Sequence, residues 1–351
     1  MKSALGQPAV LSALGAAVLF GASTPLAKQF TGDLPPLLLA GLLYLGSGVG
    51  LTALRLIRDC GWESSRLRPN EWPWLSGAIF FGGVLGPVLL MSGLRETMAS
   101  TASLLLNLEG VLTALLAWLA FRENTDRRIV FGMVLIVAGG LVLSWSSGAT
   151  GQRGWAGPSA IAAACLCWAI DNNLTRKVSA ADSVFLGAAK GLAAGTVNTV
   201  LALLFTPASV AWHAAVAAML VGFLGYGVSV VLFVLALRGL GAARTGAYFS
   251  TAPFIGAAIA IALFAEPAST SFWVAAALMG LGVWLHITER HAHEHTHTPL
   301  EHSHSHVHDE HHRHEHDFKW DGKEPHAHSH RHQPLTHTHP HFPDVHHEHR
   351  H

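Results

Sequence analysis

Charge is scarce in this chain: only 13% of its 351 residues are Asp, Glu, Lys or Arg, while 50% are apolar. So little charge excludes an ordinary soluble domain and leans toward a membrane protein. Cysteine is scarcer still, with three residues in all. Cys60 falls in a polar loop, and Cys165 and Cys167 point about 200° apart on a helix, so no disulfide framework and no shared metal grip is expected. A phosphate-loop lysine motif is missing, which removes the sequence basis for ATP-driven transport. The glycine clusters "GSGVG" (46–50) and "GFLGYG" (222–227) lie inside apolar runs, do not match a dinucleotide fingerprint, and are read as helix packing. Histidine is nearly missing from the first 289 residues, which hold only His213 and His286, yet 23 of the 25 histidines follow residue 290.

That last imbalance divides the chain in two. Residues 1–289 carry 16 Lys/Arg against 12 Asp/Glu, and residues 290–351 carry 6 against 10, so the net charge of zero conceals two chemically different parts. In the first part, uncharged windows long enough to cross a bilayer occur at 3–27, 34–54, 72–94, 129–152, 208–237, 245–265 and 267–288. Three more segments, 97–121, 154–175 and 183–205, have the length but carry internal charge. The expectation is ten transmembrane helices, the first retained rather than cleaved as a signal peptide. With the N-terminus in the cytoplasm, twelve Lys/Arg fall in inner loops and only Lys28, Arg95 and Arg153 in outer ones. An even number of spans returns the C-terminal tail to the same side.

The spans repeat. At an offset of 143, "LRETMASTASLLLNLEGVLTALLAWLAFRE" (94–123) aligns without a gap with "LRGLGAARTGAYFSTAPFIGAAIAIALFAE" (237–266), pairing Arg95 with Arg238 and Glu123 with Glu266. Further on, Gly139 pairs with Gly282. At an offset of 148, "FGASTPLAK" (20–28) pairs with "WAIDNNLTR" (168–176). Five helices per half is an odd number, so the second half enters the membrane inverted, the architecture of many secondary transporters. The expected domains are 1–152, 153–289 and the tail 290–351. The fold class is an all-α membrane protein of two inverted five-helix repeats with a disordered cytoplasmic tail.

The stretch "ASTASLLLNLEGVLTALLAWLAFRE" with "GMVLIVAGGLVL", and its second copy "GAYFSTAPFIGAAIAIALFAEP" with "LMGLGVWL", resemble the EamA-type repeat of the drug/metabolite transporter superfamily over residues 8 to 288. The resemblance implies a ten-helix permease of the inner or plasma membrane, both termini cytoplasmic, moving small organic solutes and most often exporting them. It implies no enzyme activity and no required cofactor. The sequence departs from the family pattern where Gly110, beside Glu109, stands opposite Pro253 of the second half.

Several polar residues sit where hydrocarbon is expected. Glu109 is midway along its span, where a bare carboxylate costs several kcal/mol, so it must face a cavity, find a partner or stay protonated. These conditions suit a proton or cation site; a carboxylic acid bonded to a neighbouring helix is the other reading. Thr113 lies on its helical face at i+4 and Asn107 close along the chain. Asp171 opens "DNNLTRK" either as a pathway residue or as an interfacial helix end. Lys190 either snorkels to the surface or pairs with Asp171 or Glu109, and Asn198 extends its face as a polar stripe. Lys190 interrupts "GAAKGLAAG" (187–195), whose glycines every fourth residue predict a close helix crossing. Trp118, Trp168, Tyr226, Tyr248 and Phe249 either line a pocket or pack; Trp72 and Trp74 mark an interface. The candidate pathway set is thus Glu109, Asn107, Thr113, Asp171, Lys190, Asn198, Tyr248 and Pro253.

The tail places imidazoles at every second residue. His291, His293, His295 and His297 form one row, His302, His304, His306 and His308 a second, and His326, His328, His330 and His332 a third. Neutral imidazole suits divalent Zn, Ni, Co or Cu, so the tail is a candidate metal binder; a pH-dependent polycation is the rival. Its two zinc-protease-like pieces, "HEHTH" and "HEHRH", lack an amphipathic helix to hold them. Two functions follow: an exporter of a small metabolite, proton-coupled and working by alternating access, or a transporter of a divalent metal or metal chelate that uses the tail to collect cargo. Expected partners are that solute and the lipid bilayer, with no nucleic acid, in a monomer or homodimer.

Overall fold

The computed structural model describes residues 8–61, 65, 67–121, 127–149, 154–178, 181–205 and 212–288, with the backbone of four short tail segments. Thirteen helices run in chain order: α1 Pro8–Phe30, α2 Pro36–Arg58, α3 Trp72–Ala78, α4 Gly86–Glu96, α5 Ala99–Leu105, α6 Leu108–Phe121, α7 Arg127–Ala149, α8 Ala156–Thr175, α9 Ser183–Phe205, α10 Trp212–Gly222, α11 Ser229–Phe249, α12 Ala252–Phe264 and α13 Thr270–Ile287. Joined end to end where they continue one another, they make nine spans long and apolar enough to cross a membrane among the described residues. The tenth is α8, 20 residues long, whose "DNN" lowers its apolarity. The chain is an integral, multi-pass membrane protein. We call the face on which α1 begins the near face and the opposite one the far face.

The inverted repeat is visible in local backbone geometry. Ile79–Leu85, between α3 and α4, and Phe223–Val228, between α10 and α11, are both π-helical turns. An offset of 143 superposes them almost residue for residue. The fourth span of each half also breaks at the same depth, between α5 and α6 and between α11 and α12. In the second half Pro253 opens α12 and removes an amide donor, so the break is expected. In the first half no proline is present, and the Asn107 amide bonds the Leu104 carbonyl instead, diverting a backbone acceptor from the helix. The missing proline therefore does not abolish the discontinuity.

Glycine sets the closest approaches. Antiparallel α2 and α9 cross where a Cβ on Gly191 would lie 2.5 Å from the Gly48 nitrogen and one on Gly195 2.8 Å from the Leu45 side chain, the crossing that the four-residue spacing predicts. At its near-face end, Asp182 accepts from Arg55 Nε at 3.1 Å and Arg58 Nη2 at 2.6 Å, and also caps Val184 N at 3.0 Å. Burial pushes the Asp182 carboxyl up, but the bonds from Arg58 and Arg55 outweigh it and hold it below the usual aspartate range. The aligned pair Gly139 and Gly282 plays equivalent roles between α7 and α13. Gly139 packs on the Ala275 carbonyl and Gly282 on the Gly132 carbonyl.

Around this axis the remaining helices form two bundles. One joins α1 to α11 and α12, and the other joins α8 to α4 and α6. On the far-face side the bundles meet, α5 packing on α12 and α1, with Ser103 of α5 pressed against Gly256 of α12. On the near-face side α6 packs on α8, and among the described residues no comparable packing joins it to the end of α11. A Cβ at Gly110 on α6 or at Gly246 on α11 would meet no atom within 4 Å. Among the described residues, the bundles thus pack together on the far-face side, while Gly110 and Gly246 front open space on the near-face side.

In the tail, Ala292–His297 (β1) pairs antiparallel with Leu335–Pro340 (β4), and Glu301–His306 (β2) with His326–Arg331 (β3). The alternation that sets imidazoles on one side of an extended chain is also the period of a β-strand. His291, His308 and His332 lie outside the described residues, as does Glu123.

Candidate transport site

The π turn at 79–85 organises the site. Its irregular backbone frees carbonyls, and three side chains collect them. Tyr44 Oη on α2 and Trp168 Nε1 on α8 both donate to the Gly82 carbonyl at 2.9 Å, and Asn198 Nδ2 on α9 donates to the Gly83 and Val84 carbonyls at 3.4 and 3.3 Å. Gly82 must be glycine, because a Cβ there would collide with the Asp171 carboxylate. The inverted counterpart is Gly225 facing Ser23, and Ser23 is the residue that the offset of 148 aligns with Asp171. The same architectural contact therefore carries a carboxylate in one half and a hydroxyl in the other.

Asp171 is bonded at Oδ1 by Lys190 Nζ at 2.5 Å and by Thr175 Oγ1 at 2.8 Å, and Lys190 also reaches Thr175 Oγ1 at 2.8 Å. Of the partners open to Lys190, the ion pair with Asp171 is the one formed; both side chains are less than one-fifth exposed. Close by on α6 and α8, Asn172 Nδ2 donates to Glu109 Oε1 at 2.9 Å and to Thr113 Oγ1 at 3.3 Å, and Asn173 Nδ2 donates to the Thr113 carbonyl at 3.3 Å. Glu109 is half-buried and Asn172 exposed, next to the open space in front of Gly110. The shared helical face of Glu109 and Thr113 is thus bridged by one asparagine.

Other candidates go elsewhere. Asn107 is buried at the helix break, its amide on Leu104 O and 3.9 Å from Met279 Sδ, so it shapes the backbone rather than joining Glu109. Asn198 pins the π turn instead of continuing a polar stripe from Lys190. Pro253 starts α12, and the carbonyl of Tyr248 closes the preceding turn by accepting from Thr251. Among the aromatics, Trp118 is 43% exposed on the outside of α6. The packed aromatic group is Phe20, Tyr44, Tyr226, Phe233 and Phe249, with ring centroids 4.9 to 6.1 Å apart. Tyr44 joins both regions, its hydroxyl beside the Asp171 pair and its ring against Tyr226 at 5.6 Å. Asn172, Thr175, Tyr44 and Gly82 were not singled out by sequence reasoning. Asn172 and Thr175 stand in the "DNNLT" stretch beside Asp171, while Tyr44 and Gly82 are ordinary residues of apolar spans.

No group of three His, Cys, Asp or Glu side chains among the described residues is arranged to hold a metal ion. Cys165 and Cys167 are buried, unpaired with each other, and Cys165 Sγ is 3.7 Å from the Leu105 carbonyl.

Comparison with known proteins agrees with this fold. The chain is 27% identical over 290 residues to an uncharacterized transporter of Methanothermobacter thermautotrophicus, covering 78% of this chain and 84% of that one. It is 25% identical over 283 residues to the uncharacterized transporter YyaM of Bacillus subtilis, covering 77% and 90%. A 116-residue stretch, 32% of this chain, is 39% identical to 96% of a probable 4-amino-4-deoxy-L-arabinose-phosphoundecaprenol flippase subunit, ArnE, of Pseudomonas aeruginosa. A solved crystal structure superposes with a TM-score of 0.58 at 22% identity, covering 79% of this chain and 98% of the other, a likeness of fold. The model of the EamA-like transporter family matches residues 7–145 and again 155–288. The two family-matched segments, in which the π turns and the broken fourth spans recur, place this chain in the EamA-like transporter family.

Proposed function

We propose that this transporter is a proton-coupled secondary exporter of a small metabolite, working by alternating access in the inner or plasma membrane with both termini cytoplasmic. The observation that carries the reading is Glu109: a carboxylate in mid-span, held by a single asparagine and standing beside the opening between the bundles. An ionisable group at that depth is by default a functional one, suited to loading and unloading a charge. With the near face cytoplasmic, the parted side receives solute from the cell interior. Polar groups (Glu109, Asn172 and the Asp171–Lys190 pair) lie on one side of Tyr44, and the aromatic group lies on the other. That arrangement suits a solute with a polar head and an apolar body.

The solute and the bilayer are the partners of this reading, and the chain works as a monomer or homodimer without a required cofactor. Its tail binds divalent Zn, Ni, Co or Cu. The strand register supports metal capture, because it sets His293 opposite His339, His295 opposite His337, His302 opposite His330, His304 opposite His328 and His306 opposite His326. Equilibrium dialysis of the purified chain against Ni or Zn is expected to find several bound equivalents, lost when residues 290–351 are deleted; equal binding by both proteins contradicts a metal-binding tail. The same tail favours a second reading, efflux of a divalent metal or metal chelate. Cells lacking the protein then become sensitive to nickel, cobalt or zinc, whereas unchanged metal tolerance leaves the metabolite reading alone.

A further inference from the structure

The far face is closed by a few polar contacts that run from one bundle to the other. Glu266, in the connection between α12 and α13, accepts at Oε1 from Ala99 N and at Oε2 from Ser100 N, both at 2.8 Å. These are the first amides of α5, which have no acceptor within their own helix. The N-cap position of α5 is Met98, whose side chain supplies none. A carboxylate from the opposite bundle stands in. It is set there by Ala265, which ends α12 in the left-handed conformation at φ 51°, a strained geometry for a residue with a Cβ. Alongside, Lys28 at the end of α1 donates to the Leu94 carbonyl at the end of α4, again across the two bundles, and lies in the field of Glu266 and Glu96.

Contacts inside a bundle survive a rocking motion, whereas contacts between bundles at one face must break when that face opens. We infer that Glu266 is the latch of the far face, a positioning residue whose bidentate hold on α5 sets how often the transporter opens to that side. Directly beneath it, Ser100 and Ser103 are each 1% exposed and their hydroxyls have no hydrogen-bond partner, so they mark the passage the latch seals. The inference rests on the alternating-access reading but not on the identity of the solute or on proton coupling.

Ser103→Cys, in the full chain with Cys60, Cys165 and Cys167 replaced by serine or alanine, reports on the seal. In reconstituted vesicles, a membrane-impermeant thiol reagent applied at the far face is expected to label it slowly. Adding Glu266→Ala is expected to speed labelling roughly tenfold or more, the factor matching the loss of one charge-assisted hydrogen bond. Glu266→Gln keeps one acceptor oxygen and falls between. Ala99→Pro removes an amide donor at the first helical position, where proline is tolerated, and is expected to act in the same direction with Glu266 intact. Should Glu266→Ala fail to fold, Ala99→Pro carries the test. A merely structural cap would lower the melting temperature and leave far-face labelling unchanged, and that result in the folded variants overturns the latch. Faster labelling in Glu266→Ala, together with a parent that moves no protons under a solute gradient, retains the latch and removes the proton coupling.

Discussion

Replacing Lys190 with methionine is expected to cost about 3–5 kcal/mol of stability, the usual effect of leaving a buried charge without its partner. Lys190 and Thr175 supply both hydrogen bonds at Asp171 Oδ1, and the carboxylate packs against Gly82. The double change Lys190→Met with Asp171→Asn is expected to recover most of the loss, because it removes the orphaned charge and keeps a side chain that Thr175 can bond. Thermal unfolding of the purified single and double variants, followed by tryptophan fluorescence, checks both. A single variant as stable as the parent would show that the pair is solvated rather than buried. A double variant no better than the single would show that Lys190 acts through packing of its alkyl stem.

Glu109→Gln is expected to abolish proton-driven transport while leaving the folded protein intact. The amide keeps the size of the side chain and one acceptor oxygen for Asn172, so the bridge to Thr113 at 3.3 Å persists and the helix break is untouched. What is lost is the ability to exchange a proton. In proteoliposomes with an internal pH dye and an imposed solute gradient, the parent is expected to move protons and the variant none, with equal melting temperatures. Proton movement equal to the parent would return Glu109 to a packing role. Asn172→Leu provides the complementary case: it strips the carboxylate of the hydrogen bond from Asn172 Nδ2 and is expected to alter coupling without removing the proton carrier.

The repeat was the most legible part of the chain because it is written twice. Arg95 with Arg238, Glu123 with Glu266 and Gly139 with Gly282 align without a gap, and the two glycines prove to seat equivalent helix crossings. The charged residues of the site were legible for an equally simple reason: Glu109, Asp171 and Lys190 stand out against hydrocarbon. Their partners did not, since serine, threonine, tyrosine and asparagine are inexpensive in a membrane helix and their side chains can turn to several neighbours. Asn107 and Asn198 show this directly, one turned back onto its own helix and the other spent on the π turn. The π turns were hidden because one extra residue in a turn leaves no mark on hydrophobicity. Only the alignment of Gly82 with Gly225 at the same offset marks them, the one set against Asp171 and the other against Ser23.

That last comparison explains how two halves of one architecture serve different roles. Gly21 of α1 and Gly256 of α12 meet in close backbone contact. The aligned positions are Ala169 of α8 and Thr113 of α6, and there the interface is polar, bridged by Asn172 and Asn173. This chain keeps the symmetric frame and places the mid-span charges Glu109, Asp171 and Lys190 at the α6–α8–α9 side of it.

The account stands most directly on the claim that the opening beside Glu109 is a water-filled passage reached from the near face. Gly110→Cys places a thiol in that space with no atom to displace. In vesicles of known orientation, with the native cysteines replaced, a membrane-impermeant thiol reagent is predicted to label it from the face that carries the N-terminus and not from the other. A thiol that reacts from neither face, as one bathed in lipid would, contradicts the account.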